Sequence, residues 1–346
     1  MKSIKDVARL AGVSIATVSR YINSPEQVRA QTAKKVAEAI EKTGYKTNFL
    51  ARNFRMGKTQ QIVVVLPSVG IPFYGPILKG LRDVAEAADY HILVMETNYN
   101  LMEFDDVTRL LMNKAADGII LLSTFSPFKA EDEESEKQKG HPPIVMGLES
   151  ISKDQSHLPC ICIDNKSAAR DATNYLIDLG HKDIGFFFGN IGYFDGKPRP
   201  EPRLTKERAD GFELAMQERG LEVNASWVIK TTISVEGGQK AAQQLLAQAQ
   251  RPTAIFCAND EMALGAMFEF KRAGLRIPED ISVMGFDNMH YGKISDPPLT
   301  TVEQPAELIG ERSMRCLLKL IAGEKLDKTQ EFVPHSIIKR ETCRQL

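Results

Sequence analysis

The run Val13-Ser14-Ile15-Ala16-Thr17-Val18-Ser19-Arg20 gathers side chains suited to a polyanion. Ser14, Thr17 and Ser19 offer hydroxyls to phosphates, and Arg20 can meet a guanine edge with two parallel hydrogen bonds. Ile15 and Ala16 stand where apolar contact with a thymine methyl is available. A second set of polar residues follows short apolar runs: Pro67-Ser68, Ser123-Thr124, Asp164-Asn165, Asn259-Asp260 and Asp287-Asn288. If those runs are strands, the set suits a small hydrogen-bonding ligand held outside their carboxyl ends. Other chemistries find little support. No GxSxG elbow, GxGxxG fingerprint or HExxH pair occurs. Gly57-Lys58-Thr59 looks like the end of a phosphate-binding loop, but Arg52 stands where that loop needs glycine. The six histidines are scattered, and the five cysteines form no CxxC pair. No metal site, disulfide framework or cofactor is therefore expected, and a reducing cytoplasm is the expected compartment. Cys160 and Cys162 read as core packing.

The elements that would position these residues fall into two parts. From Ile4 to Tyr45 apolar residues recur at helical spacing. Ile4, Val7, Ala8 and Ala11 share one face of a first helix, which Gly12 breaks. Ser14 is placed to cap a second helix through Ile22, stopped by Asn23-Ser24-Pro25. Gln31 to Lys42 reads as a third, with Val36, Ala37 and Ile40 inward and Gly44 as its C-cap. Helix, short glycine turn and second helix form the pattern of a helix-turn-helix, whose second helix can enter the major groove. A three-helix adaptor domain has the same outline.

Charge separates the same two parts. Residues 1–60 carry twelve Lys/Arg against four Asp/Glu, a net +8; the remainder carries 32 against 41, a net −9. A basic head on an acidic body can hold a polyanion at one end while the body is repelled by it, although a basic segment can also be a plain solvated face. The acidic run Glu131–Lys139 reads as such a face.

From Gln61 onward short continuous apolar runs alternate with helical stretches. Examples are Ile62–Leu66, His91–Met95, Gly118–Leu122, Ile144–Met146, Cys160–Ile163, Ile184–Phe188, Thr253–Cys257 and Ile281–Phe286. Helices are expected over 75–88, 103–113, 167–179, 206–219, 237–248 and 261–273. This rhythm means parallel sheets covered on both faces, and roughly ten strands are too many for one sheet, so two lobes are expected. The 346 residues, 43% hydrophobic and 26% charged, suit a soluble globular chain of two or three domains. No apolar run reaches membrane-spanning length and no secretory leader is legible.

The segment IKDVARLAGVSIATVSRYIN, with VRAQTAKKVAEAIEKTGYKTN, LGHKDIGFF, RPTAIFCANDEMALGAM, GLRIPEDISVMGFDN and DPPLTTVEQP, resembles the LacI/GalR family of bacterial transcription regulators. The resemblance covers essentially the whole chain and is nearest to the cytidine- and purine-responsive branch. It implies an α/β fold: a helix-turn-helix head on a two-lobed, periplasmic-binding-protein-like body with parallel sheets. The implied domains are a head at 1–46, a hinge helix and linker at 47–60, one lobe at 61–162 with 291–321, and another at 163–290 with 322–346. The implied function is not enzymatic: a repressor that binds a palindromic operator in double-stranded DNA as a homodimer, controlled by a small sugar or nucleoside between the lobes. The rival reading is a cytoplasmic sugar-binding or sugar-processing enzyme with a basic appendage.

The resemblance also assigns residues. Asn48, Ala51 and Phe54 would belong to a hinge helix that folds on the operator, with Phe54 as an apolar wedge in the minor groove where relatives carry leucine. Phe73 and Tyr74 would wall the effector cleft, Arg208 would be the ligand-binding arginine and Asp287 its carboxylate partner, with Asn259 at a neighbouring strand end. Gly147 stands where some relatives carry a carboxylate. The loop between Gly189 and Arg208 is roughly ten residues longer than the family pattern, which fits either a charged or larger effector, a partner contact, or a neutral insertion. The chain shows no heptads after its last strand, so a dimer is expected rather than a tetramer.

Overall fold

A computed structural model describes residues 3–23, 25–45, 59–97, 116–122, 142–148, 158–190, 193–194, 197–198 and 202–346. The hinge residues Asn48, Ala51 and Phe54, the expected helix at 103–113, Ser123-Thr124 and the acidic run at 131–139 lie outside these. The chain forms two compact units, Met1–Thr59 and Gln60–Leu346.

In the first unit, α1 (Ile4–Ala11), α2 (Ile15–Asn23) and α3 (Ala30–Thr43) surround a small core. The backbone N–H of Ser3 donates to the Asp6 carboxylate at 2.9 Å, which starts α1. Gly12 ends it in the left-handed conformation, φ 66°, which a side chain would strain. Ser14 Oγ accepts from the Thr17 amide at 3.1 Å and so begins α2, as its position in the sequence suggests. Val7, Ala8, Val18, Val36 and Ala39 form the core. Ala39 rather than Ala37 is buried on α3, because Val36, Ala39 and Ile40 share a face at i, i+3, i+4 and Ala37 is turned about 100° from Val36.

The second unit holds two six-stranded sheets. Strands β1 (Gln61–Leu66), β2 (His91–Glu96), β3 (Gly118–Leu121), β4 (Ile144–Gly147) and β5 (Cys160–Cys162) build the first, with α4 (Tyr74–Ala87) between β1 and β2. The chain then continues through α5 (Asn165–Asp178), β6 (Ile184–Asn190), a two-residue hairpin β7 (Tyr193–Phe194) and β8 (Lys197–Pro198), and α6 (Arg203–Glu218). Next come β9 (Val228–Thr232), α7 (Val235–Leu246), β10 (Ala254–Cys257), α8 (Asp260–Arg272), β11 (Ser282–Asp287), α9 (His290–Ile294) and β12 (Thr300–Glu303). It ends with α10 (Ala306–Ile321), β13 (Gln330–Phe332) and β14 (Ser336–Ile338).

The first sheet has the order β13-β5-β4-β3-β1-β2 and is wholly parallel. The second has the order β14-β12-β11-β10-β6-β9, parallel except where β14 runs against β12. Its edge strand β9, Val-Ile-Lys-Thr-Thr, has too little apolar run to stand out in the sequence. Side chains alternate across β1: Ile62, Val64 and Leu66 join one core, while Val63 and Val65 join another with Cys160 and Cys162. Both cysteines are buried, as expected of core packing.

The chain passes between sheets three times, at 163–164, at 304–305 and between β13 and β14. Two stretches depart from the expected division. The segment 291–300 and β12 stay with the second sheet, because β12 extends it by pairing Met284 with Thr300 through Asp287 with Glu303. Conversely β13, expected with the second lobe, pairs with β5 of the first sheet. Helix α10 packs on α4, β3, β4 and β5, on the first sheet's side.

Candidate functional site

In the head, α2 turns its buried side, with Val18, toward α1 and α3. Ile15, Ala16, Ser19 and Arg20 span the opposite side, roughly 140° of arc at 100° per residue. Ile15 is 44% exposed, Ala16 and Arg20 are exposed, and Ser19 is half-buried. Four of the six expected nucleic-acid residues of the head thus form one continuous face. Ser14 is exposed at its start, but its hydroxyl shares a 2.9 Å hydrogen bond with Thr17 Oγ1 besides capping the helix. Thr17 itself is half-buried on the inner side.

In the body, β6, β10 and β11 bring phenylalanines into register. Phe186 stacks on Phe212 at 5.1 Å and meets Phe256 at 5.2 Å; Phe256 meets Phe286 at 6.4 Å. Such pairs add about 0.5–1.5 kcal/mol each beyond their buried area. The row ends under Arg208, whose guanidinium carbon lies 3.6 Å from the Phe286 ring centre.

Arg208 is 3% exposed. Its Nε donates to Asn165 Oδ1 at 3.0 Å, its Nη1 donates to the Ala258 carbonyl, and Nη1 is 3.6 Å from Asp287 Oδ1. Asp287 also accepts from Gln304 Nε2 at 2.6 Å. Burial pushes the Asp287 carboxyl up to about 6, while Arg208 and then Gln304 hold it down; at 3.6 Å the ion pair does not outweigh desolvation. The backbone turns sharply here, with φ 113° at Asp287 and 53° at Asn288. Two non-glycine residues in this region cost about 1–3 kcal/mol each. Asn288 is held by its Nδ2 donating to Glu303 at 2.9 Å and by Arg340 donating to its Oδ1.

Beside this pair, Asp260 accepts from Thr301 Oγ1 and from the Met289 amide, each at 2.6 Å. Burial, and then the Asp287 charge, push its carboxyl up to about 8. Asp260 is fully buried and acts as a bracket joining α8, β12 and the turn after β11. Asn259 caps α8, its Oδ1 accepting from the Met262 amide at 2.9 Å. That bond engages its carbonyl oxygen and not its amide nitrogen.

Phe73 and Tyr74 lie beyond the carboxyl end of β1, at the start of α4, with rings edge-to-face at 5.9 Å and 67°. Tyr74 is buried and Phe73 half-buried. The structure therefore joins Arg208 and Asp287 directly, sets Asn259 at the adjoining strand end, and places the two aromatic residues at a strand end of the other sheet. Gln304, Asn165 and Phe286 also touch this pair and escaped the residue-by-residue reading. Only Asn165 carried a sequence signal, as one of the polar residues after a strand.

Among the described residues no three His, Cys, Asp or Glu converge as a metal site, and no helix is long and apolar enough to cross a membrane.

Residues 3–48 match the family described as bacterial regulatory proteins, lacI family, and residues 173–343 match a periplasmic binding protein-like domain. The chain is 36% identical over 344 residues to the HTH-type transcriptional repressor CytR of Escherichia coli K12, covering 99% of this chain and 97% of that protein. It is 34% identical over 342 residues to catabolite control protein A of Priestia megaterium, covering 99% of each. Its fold superposes on a solved lac repressor dimer bound to operator and the anti-inducer ONPF with a TM-score of 0.84, at 26% identity and 99% coverage of both chains. With a helix-turn-helix head, a periplasmic-binding-protein-like body and relatives named as a transcriptional repressor and a catabolite control protein rather than enzymes, the chain belongs to the lacI family of bacterial regulatory proteins.

Proposed function

We propose that the protein represses transcription as a homodimer on a palindromic operator, and that a small sugar or nucleoside in the body controls this binding. The buried Arg208–Asp287 pair carries the ligand half of this reading. A guanidinium and a carboxylate 3.6 Å apart, over an aromatic ring at the strand ends, offer donors and an acceptor to vicinal hydroxyls or a base edge. Asn259 adds an amide at the next strand end, and Phe73 and Tyr74 supply the apolar wall. A hydrogen-bonding ligand discriminates sharply here, because a poor match leaves a buried charge unpaired.

The face of Ile15, Ala16, Ser19 and Arg20 supports the reading half. In a dimer, two such helices enter successive major grooves on one side of the duplex, about one helical turn apart. Ser14, exposed at the helix start, is placed to meet a phosphate, and Thr17 contributes by holding the Ser14 hydroxyl from the inner side. The connector at 47–60, with Asn48, Ala51 and Phe54, folds on the operator and couples body to head. The two lobes are 61–163 with 305–333 and 164–304 with 334–346, and the ligand acts by binding one lobe arrangement better than the other.

The test is selection of bound sequences from random duplex DNA by the full-length protein. Recovery of a palindrome with half-sites spaced for a dimer supports the proposal. Release of that DNA by a member of a sugar and nucleoside panel in the wild type, and not in Asp287→Ala, supports the ligand half. Asymmetric recovered sites, or equal response in both proteins, would overturn the corresponding half.

A further inference from the structure

Phe286 and Asp287 are neighbours in the chain, and both meet one guanidinium. The Arg208 guanidinium carbon stands 3.6 Å from the Phe286 ring centre, and its Nη1 stands 3.6 Å from Asp287 Oδ1. Successive residues of an extended strand point to opposite faces, so a β11 that ran straight to its end would send one of these side chains away from Arg208. The backbone at Asp287 is instead turned to φ 113°, a region that glycine enters freely and other residues rarely adopt. This turn lets an aromatic face and a carboxylate serve the same arginine.

Asp287 holds that conformation without being glycine, so its surroundings impose it. The next residue supplies the hold. Asn288 lies at φ 53°, in the left-handed well that asparagine tolerates. Its side-chain amide is engaged at both ends by charged groups: Nδ2 donates to Glu303 Oε1 at 2.9 Å, and Oδ1 accepts from Arg340 Nη2. Hydrogen bonds to ionised groups are the strong class. An amide suits the place because it offers a donor to the anion and an acceptor to the cation.

Both anchors are themselves tied into the second sheet. Glu303 ends β12, where the register sets it opposite Asp287, and its other oxygen accepts from Ser336 Oγ of β14 at 3.0 Å. Arg340 donates through Nη1 to the Leu299 carbonyl at 2.6 Å, and its backbone amide donates to Thr300 Oγ1 at 3.0 Å. Beyond the turn, the Met289 amide is fixed on Asp260.

We propose that Asn288 is a positioning residue: clamped between Glu303 and Arg340, it holds the turn that aims the Asp287 carboxylate at Arg208. It acts through Asp287 and not by touching a ligand. Its consequence for effector binding rests on the effector site proposed above. The aiming itself is a property of the protein without ligand, so failure of the effector assay and failure of the test below are distinguishable.

The experiment is a double-mutant cycle between Arg208→Met and Asp287→Ala, read by urea unfolding of the full-length chain at neutral pH in three backgrounds: wild type, Asn288→Gly and Glu303→Gln. Asn288→Gly keeps the left-handed backbone at no steric cost and removes only the clamp. The Arg208–Asp287 coupling, expressed as an equilibrium factor, is expected to fall at least about five-fold in that background. Glu303→Gln retains an acceptor for Asn288 Nδ2 and is expected to keep the factor within about two-fold of wild type. A role in stability alone would let Asn288→Gly lower the unfolding midpoint and leave the coupling as it was. That result, or a cycle already additive in the wild type, would overturn the proposal. Loss of coupling in Glu303→Gln with none in Asn288→Gly would overturn it as well, because the field of the carboxylate and not the clamp would then set the pair.

Discussion

Arg208 and Asp287 stand 3.6 Å apart, both nearly closed to solvent, one in the second turn of a helix and the other at the last residue of a strand. Neither could be buried alone at this cost, since an isolated charge in the interior is penalised by several kcal/mol. Asp287→Ala leaves Arg208 with Asn165, the Ala258 carbonyl and the Phe286 ring, so the loss is cushioned. A destabilisation of about 2 kcal/mol is expected. Arg208→Met combined with Asp287→Ala is expected to restore part of it, because the second change removes the unpaired charge. Urea unfolding of the two single variants and the double variant measures this coupling; strict additivity would show the pair to be energetically independent.

Asp260 makes stability depend on pH in an unusual direction. Its carboxyl is pushed from 3.8 up to about 8, so the folded chain keeps a proton that the unfolded chain has released. The stability from this group is full below the unfolded value and is lost as pH rises through about 8. Asp287, raised to about 6, contributes in the same sense at lower pH. His181, whose pKa burial lowers from 6.5, works in the opposite sense below that value. Between pH 7 and 8 Asp260 therefore dominates, with a slope of up to about 1.4 kcal/mol per pH unit. Asp260→Asn is expected to flatten it, since an amide can still accept from Met289 and donate to Thr301. A variant with the wild-type slope would locate the proton elsewhere.

Arg20 and the lysines of the head are expected to behave differently on DNA. Arg20→Ala removes a side chain from the outward face of α2 and is expected to lose about 1–3 kcal/mol on the selected site, with little change on random duplex. Replacement of exposed Lys34 by Ala is expected to weaken both alike and to lower the salt dependence by about one unit of slope. Fluorescence anisotropy over a salt series distinguishes them. Equal losses on both duplexes for Arg20→Ala would remove its role in base reading.

What could be read in the sequence was local. The glycine at 12, the serine at 14 and the apolar spacing through Val18 state the two-helix turn within twenty residues, and short runs such as Ile62–Leu66 state buried parallel strands. The polar residues after those runs marked Asn259 and Asp287 for the same reason. What escaped depends on pairing between distant segments. Thr300–Glu303 joins the second sheet because β11 offers it a register, and Gln330–Phe332 joins the first because β5 has an open edge. No periodicity within either segment states its partner. Gln304 escaped for the same reason: its role exists only because β12 ends beside Asp287.

Gln304 lies where the chain leaves β12 for α10, so its hydrogen bond ties the Asp287 carboxylate to one of the three passages between sheets. The donor favours the ionised carboxylate and holds its pKa below what burial alone would impose. Gln304→Met keeps the bulk and removes the donor. The Asp287 titration is then expected to move above its wild-type midpoint of about 6, and the carboxylate to become the weaker acceptor at neutral pH. Carboxyl-carbon NMR shifts followed through pH 5 to 8 report this directly. Because one hydrogen bond to a charge contributes about 1.5–3 kcal/mol, a displacement of one pH unit or more is expected. A midpoint that stays in place would mean that Arg208 alone sets the charge of Asp287, and that the passage between sheets does not sense it.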